Sequence, residues 1–202
     1  MAKARIKDQR RVDDFYARKA REERFPARSV YKLEEADRKH GLLKAGQRVL
    51  DLGCAPGSWT LYAAHRVGPG GLVIGLDLSE VRSRFPDHVR LIQADVLATS
   101  PAVLAESGPF DVVLSDLAPR TTGQKNVDQV RSAGLARAAL AWARALLRPE
   151  GTFFFKVFQG PETEAVLREA AGDFRIFRRV KPKSSRSFSF EMFGLGLGFK
   201  KS

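Results

Sequence analysis

Cysteine is nearly missing from this 202-residue chain: Cys54 stands alone. A single thiol excludes an internal disulfide and any zinc site built on several cysteines. Long apolar runs are missing as well. None approaches the ~20 residues that carry a helix across a bilayer, which argues against an integral membrane protein. The opening MAKARIKDQRR has no apolar segment of the sort a secretory signal contains. Acid is scarce at the far end, where Glu191 is the sole carboxylate side chain after residue 174. What is present is a globular balance, 44% hydrophobic and 29% charged, in a length that suits one domain with a sizeable core. The expectation is a soluble, cytoplasmic protein with no membrane association.

The charge is segregated. The formal net charge is +12. Residues 1–40 hold 13 basic and 8 acidic side chains, residues 41–174 hold 14 of each, and residues 175–202 hold 8 basic and 1 acidic. A neutral body between two basic ends suggests a polyanionic partner, and nucleic acid is the commonest. The competing reading is that the basic ends only keep the protein soluble.

Strand and helix patterns alternate along the body. Residues 28–40 read as a helix stopped by Gly41, with Val30, Leu33 and Ala36 on one face. Apolar strands follow at 47–52, 72–78, 89–95, 110–116 and 151–158, with helices at 58–67, 126–148 and 162–171 among them. Two further strands, 174–180 and 193–199, have no helix between them. Strands apolar throughout and separated by helices indicate a parallel sheet covered on both faces. The fold expected is α/β: a mostly parallel seven-stranded sheet with an antiparallel edge strand and helices on both faces. Residues 28–202 make this single domain. Residues 1–27, charged and poorly periodic, read as a basic N-terminal arm.

DLGCAPGSW at 51–59 follows a strand and opens a helix, the context of a nucleotide-type site. Gly53 and Gly57 permit turns and a close backbone approach to a ligand. The spacing is not that of a dinucleotide fingerprint, nor does the loop end in the Gly-Lys-Ser of a phosphate loop, so NAD and ATP lose ground. Asp77 ends the second strand, where a ribose is usually held by a carboxylate. Asp95 ends the third and can accept from the exocyclic amine of an adenine. A Gly-rich loop followed by two strand-end carboxylates is the layout of an S-adenosylmethionine site. Trp59 is either core packing or a cover over that cofactor, and its place in the loop favours contact. Cys54 reads as a small buried filler.

A second set of residues is ionisable and set in apolar surroundings. Lys156 lies in FFFKVFQG, where it faces desolvation unless it reaches a carboxylate or the sheet edge. Asp116 closes the preceding strand in SDLAP, close in space if the two strands pair. Lys32 lies between Tyr31 and Leu33 on the first helix. Glu191 lies between Phe190 and Met192. Taken singly, Lys32 and Glu191 read most simply as members of surface ion pairs.

RSVYKL at 28–33, DLGCAPGSW, SDLAP with the following TTGQKNVD, FKVFQG at 155–160 and KPKSSRSFSFE at 181–191 together resemble the FtsJ/RrmJ heat-shock family of ribosomal RNA 2′-O-ribose methyltransferases. The resemblance runs from about residue 25 to the end. It implies a Rossmann-like methyltransferase fold and S-adenosylmethionine as cofactor. It places the family's lysine–aspartate–lysine–glutamate tetrad on Lys32, Asp116, Lys156 and Glu191, with Asp116 also at the cofactor. The implied substrate is a uridine ribose of large-subunit (23S) ribosomal RNA, met within the large ribosomal subunit by a monomeric enzyme. The implied chemistry needs no metal: a neutral Lys156 takes the 2′-hydroxyl proton, Asp116 orients it, and Lys32 and Glu191 position the ribose. The chain departs from the family in Ser58, in Cys54, and in a stretch before Glu191 that is richer in Phe and poorer in Arg. Rival functions are 2′-O-methylation of transfer or messenger RNA and a non-catalytic RNA-binding assembly factor. A small-molecule methyltransferase fits the basic ends poorly.

Overall fold

The computed structural model describes residues 15–185 and 189–200. After a helical segment at 15–22 (α1) come α2 (Val30–His40), β1 (Arg48–Leu52), α3 (Ser58–Val67), β2 (Leu72–Asp77) and β3 (Val89–Gln93). A 3₁₀ helix, Pro101–Ser107, precedes β4 (Phe110–Ser115). Then follow α4 (Lys125–Leu146), β5 (Leu147–Phe158), α5 (Thr163–Gly172), β6 (Phe174–Val180) and β7 (Glu191–Phe199). No helix among the described residues is long and apolar enough to cross a membrane.

The strands form one sheet in the order β3-β2-β1-β4-β5-β7-β6. The pairs from β3 to β5 are parallel, and β7 runs antiparallel to both β5 and β6. The expected antiparallel strand is therefore β7, one place in from the rim, with β6 outermost. The order reverses between β1 and β4. There the chain turns outward in opposite directions, which opens a crevice beyond the carboxyl ends of these two strands.

Strand alternation sends side chains to two cores. Leu50, Leu52, Phe153, Phe155 and Val157 pack with α4 and α5 on one face. Val49, Phe154 and Phe193 pack with Leu33 of α2 and Trp59 of α3 on the other. Alternation puts Lys156 on the second face, between Phe154 and Phe158. The glycines of β7 make room for the aromatic layer on the first face. A Cβ at Gly194 would lie 2.4 Å from the Phe155 ring, and one at Gly196 would lie 2.4 Å from that of Phe174.

The helix α2 begins after Ser29 and buries Val30, Tyr31, Leu33 and Ala36. Arg38, Lys39 and His40 in its last turn complement the helix dipole. Gly41 ends it in the left-handed region, φ 65°, with its N–H on the Asp37 carbonyl.

About half of the expected N-terminal arm lies among the described residues. Residues 15–27 fold against the domain: Tyr16, Ala20 and Phe25 cluster with Val30, Tyr31 and Tyr62. Tyr31 donates from its hydroxyl to Glu23 at 2.8 Å, and the Ala27 N–H donates to the Ser58 hydroxyl at 2.7 Å. Two residues four apart, Tyr16 and Ala20, suffice to seat α1 because Tyr31 meets them. The remainder of the expected arm, 1–14, lies outside the described residues.

Candidate active site

The loop between β1 and α3 is held by its neighbours. Gly53 takes φ 77°, and a Cβ there would lie 2.9 Å from the backbone nitrogen of Leu117. Only glycine lets the β1 and β4 ends approach this closely. Asp77, at the end of β2, accepts from Ala55 N–H at 2.9 Å and from Ser79 N–H at 2.7 Å. Asp95 accepts from Leu97 N–H at 2.8 Å. Each carboxylate is thereby fixed in orientation while keeping lone pairs for a ligand.

Beyond these ends lies a cleft of about 780 Å³, whose walls include Gly53, Asp77, Leu78, Asp95, Leu97 and Asp116. Its volume suits a nucleoside-sized ligand. Leu78 and Leu97 are 57% and 65% exposed, a solvation that a flat ring laid between them would relieve. Acceptors at Asp77 and Asp95 with apolar walls beside them fit the hydroxyls, exocyclic amine and ring of an adenosyl group. The two leucines carried no sequence signal, since a single apolar residue after a strand is commonplace.

Trp59 and Gly57, also expected at the cofactor, do not border this cleft. Trp59 is buried, stacks on Phe154 with centroids 5.6 Å apart, and donates its indole N–H to the Ser29 carbonyl at 2.8 Å. It joins α3 to α2 and the sheet and does not line the cleft. Gly57 caps α3 at φ 109° against the Phe85 ring, away from the cleft wall. Cys54 is buried, and burial pushes its thiol far up, as suits a filler.

The four tetrad residues meet as two ion pairs. Lys156 Nζ lies 2.8 Å from Asp116 Oδ1 and also donates to the Asp116 carbonyl at 2.7 Å. Lys32 Nζ lies 2.6 Å from Glu191 Oε2. The sheet register explains their convergence. Lys156 stands opposite Phe193 and Phe158 opposite Glu191, so Lys156 and Glu191 are diagonal neighbours on one face. The α2 helix delivers Lys32 above that face, 5.9 Å from the Phe193 ring centroid. Asp116 follows β4, with its N–H on the Leu52 carbonyl at 3.1 Å. Burial pushes the Glu191 carboxyl up, but the Lys32 and Lys156 ammonium groups outweigh it and hold the group below its ordinary range.

Asp116 borders the first cleft. Lys32 and Glu191 border a second, open cleft of about 490 Å³. Lys156, its side chain 5% exposed, is bonded to Asp116 of the first cleft and stands diagonal to Glu191 of the second. An amine so placed can move a proton on a group held in either cleft within its reach. Arg28, Lys125, Gln129 and Phe190, which also border the second cleft, were not singled out by sequence because they come from three separate segments.

Residues 25–199 match the model of the FtsJ-like methyltransferase family. The ribosomal RNA large subunit methyltransferase E of Oleidesulfovibrio alaskensis is 50% identical over 190 residues, covering 93% of this chain and 92% of that one. Its counterpart in Syntrophobacter fumaroxidans is 48% identical over 195 residues, covering 95% and 98%. A crystal structure from Plasmodium falciparum, provisionally described as a ribosomal RNA methyltransferase, superposes with a TM-score of 0.75 at 25% identity, covering 88% of this chain and all of the other. The sheet, the strand-end carboxylates and the paired lysines thus sit in a chain that belongs to the FtsJ-like methyltransferase family.

Proposed function

We propose that this protein transfers the methyl group of S-adenosylmethionine to a ribose 2′-hydroxyl of large-subunit ribosomal RNA, acting in the cytoplasm as a monomer. The observation that carries the reading is the buried Lys156–Asp116 pair, with Asp116 in the wall of one cleft and Glu191, diagonal to Lys156, in the wall of the other. The family is one of S-adenosylmethionine-dependent enzymes. In this reading the Gly53 loop and Asp77 hold the methionyl and ribosyl parts of the cofactor. Asp95 takes the adenine amine, and Leu78 and Leu97 cover the ring. When bound, S-adenosylmethionine supplies a methyl carbon made electrophilic by its sulfonium, so no acid is needed there.

The acceptor ribose enters the second cleft. Lys32 and Glu191, locked to each other at 2.6 Å, fix its position. The step requires Lys156 in its neutral, amine form. As the oxygen–carbon bond forms and the sulfur–carbon bond breaks, the hydroxyl proton passes to Lys156 Nζ. The new ammonium is received by the Asp116 carboxylate and carbonyl already in hydrogen-bond contact with it. Holding oxygen, carbon and sulfur in line is the larger part of the task.

The test is transfer of labelled methyl from S-adenosylmethionine into unmodified large-subunit rRNA, free and within isolated subunits, followed by mapping of the modified ribose. Label at a ribose 2′-oxygen of this RNA is the expected result. Label on transfer RNA alone would move the substrate to that class, and label on no RNA would defeat the reading.

A further inference from the structure

We propose that Phe190, backed by Lys125, is the stacking platform for the base of the nucleotide being methylated. The inference rests on the RNA reading given above and names a residue of the same acceptor cleft. Phe190 is a large apolar side chain left 48% exposed in the wall of the cleft that also holds Lys32 and Glu191. A ring so placed gains by being covered. The Phe190 carbonyl accepts from Gln159 N–H at 2.7 Å. Its neighbour Glu191 pairs in register with Phe158. The residue is therefore anchored to the ends of β5 and β7 rather than carried on a free loop.

Its neighbours specify the ligand chemistry. Lys125 Nζ lies 4.2 Å from the Phe190 ring centroid, so one face of the ring is held by a cation. Base and ribose are joined directly, and so are Phe190 and Glu191. A ribose held against the Lys32–Glu191 pair thus brings its base to the cleft wall that Phe190 forms. Gln129, in the wall of the same cleft, is pinned through its amide nitrogen to the Gln159 carbonyl, which fixes the amide and leaves its oxygen as an acceptor. A flat heteroaromatic ring with a polar edge fits between these walls. A stacking face tolerates any base, so Phe190 supplies affinity for the acceptor nucleotide and not its identity.

The experiment measures steady-state methylation of unmodified large subunits by the full chain carrying Phe190→Ala, Phe190→Leu, Phe190→Tyr or Phe190→Trp. Calorimetric affinity for S-adenosylmethionine and the melting temperature are recorded for each. Stacking predicts that the Ala and Leu variants raise KM for the subunit by roughly 5- to 100-fold, the range that base–aromatic stacking commands. Their cofactor affinity should hold, and the Trp or Tyr variant should restore KM. A Leu variant that matches the wild type, or aromatic variants that fail along with Ala in a folded protein, overturns the proposal. These outcomes are read only against a wild type that methylates rRNA; a wild type that does not would overturn the function itself.

Discussion

Lys156 and Asp51 are both ionisable and both buried, yet their neighbours treat them oppositely. Lys156 is met at once by Asp116 through two hydrogen bonds. Replacing it by Ala removes the amine proposed to receive the hydroxyl proton. Methyl transfer should fall by about 10²–10⁴-fold, the contribution of a positioned general base, while S-adenosylmethionine still binds. Turnover near the wild-type level in a folded Lys156→Ala protein would remove it from the role. The same role predicts a rate that rises with pH, because the amine must be neutral, and a profile flat under single-turnover conditions would count against an amine base. Asp51 instead is fully buried, accepting from the Thr60 hydroxyl at 2.6 Å through Oδ2 while Oδ1 has no partner. Burial pushes its carboxyl up to about 7; Thr60 opposes the rise, and the nearby Asp116 and Asp77 charges add to it. The folded state therefore keeps a proton that the unfolded chain releases near pH 4. Stability from this group is greatest at low pH and declines as pH rises from about 4 to about 7, by ~1.4 kcal/mol per unit of pKa difference. Denaturant titrations across that window should show the decline in the wild type relative to Asp51→Asn. Parallel profiles would mean that Asp51 is ionised in the fold.

At the scale of elements, β7 makes the site possible by pairing with β5 and so setting Glu191 diagonal to Lys156. Its glycines are the condition for that pairing. Phe155 and Phe174 are buried and cannot swing away from an added methyl group. Gly194→Ala or Gly196→Ala should therefore destabilise by about 1–3 kcal/mol, as overpacking does, seen as a lower denaturant midpoint. Unchanged midpoints would mean that the Phe layer yields. Much of this frame is legible in the sequence. The central strands are rich in apolar residues, Gly41 and Pro149 punctuate helices, and Lys156 stands out as a charge among phenylalanines. The rest depends on distant contacts. A periodic signal cannot reveal α1, whose apolar residues matter only because Tyr31 receives them. The 3₁₀ helix Pro101–Ser107 is short and buries only Leu104. The packing of Trp59 against the rings of Phe154 and Phe193, almost 100 residues and more away, is likewise invisible in the loop motif. The site residues are legible singly; their pairing, Lys32 with Glu191 and Lys156 with Asp116, belongs to the sheet register and to the pose of α2.

Across the whole molecule the segregated charge acquires a location. Lys39 and His40 at the end of α2 and Arg178, Arg179 and Lys181 at the end of β6 surround a cleft of about 380 Å³. Arg179 is engaged by Glu164 at 2.7 Å. The His40 ring is held below its ordinary range by burial, with the Lys39 and Arg178 charges adding to the effect, and Glu35 is the one carboxylate in the cleft wall. Lys39 lies seven residues beyond Lys32 on the same helix, about 10 Å along its axis at 1.5 Å per residue, within the span of a few nucleotides from the acceptor ribose. An RNA strand that seats one ribose at Lys32 can thus lay flanking phosphates along α2 toward β6. Each phosphate neutralised releases counterions, and for single strands the logarithmic salt slope changes by about 0.7 per contact. Neutralising Lys39, Arg178 and Lys181 together should weaken RNA binding at low salt and reduce that slope by about 2. Cofactor affinity should not move, because the cofactor cleft shares none of these residues. Binding isotherms for rRNA across a salt series read both quantities. An unchanged slope would take the RNA path off this face and leave the basic side chains of residues 1–14 and the Arg120–Lys125 segment as the phosphate contacts.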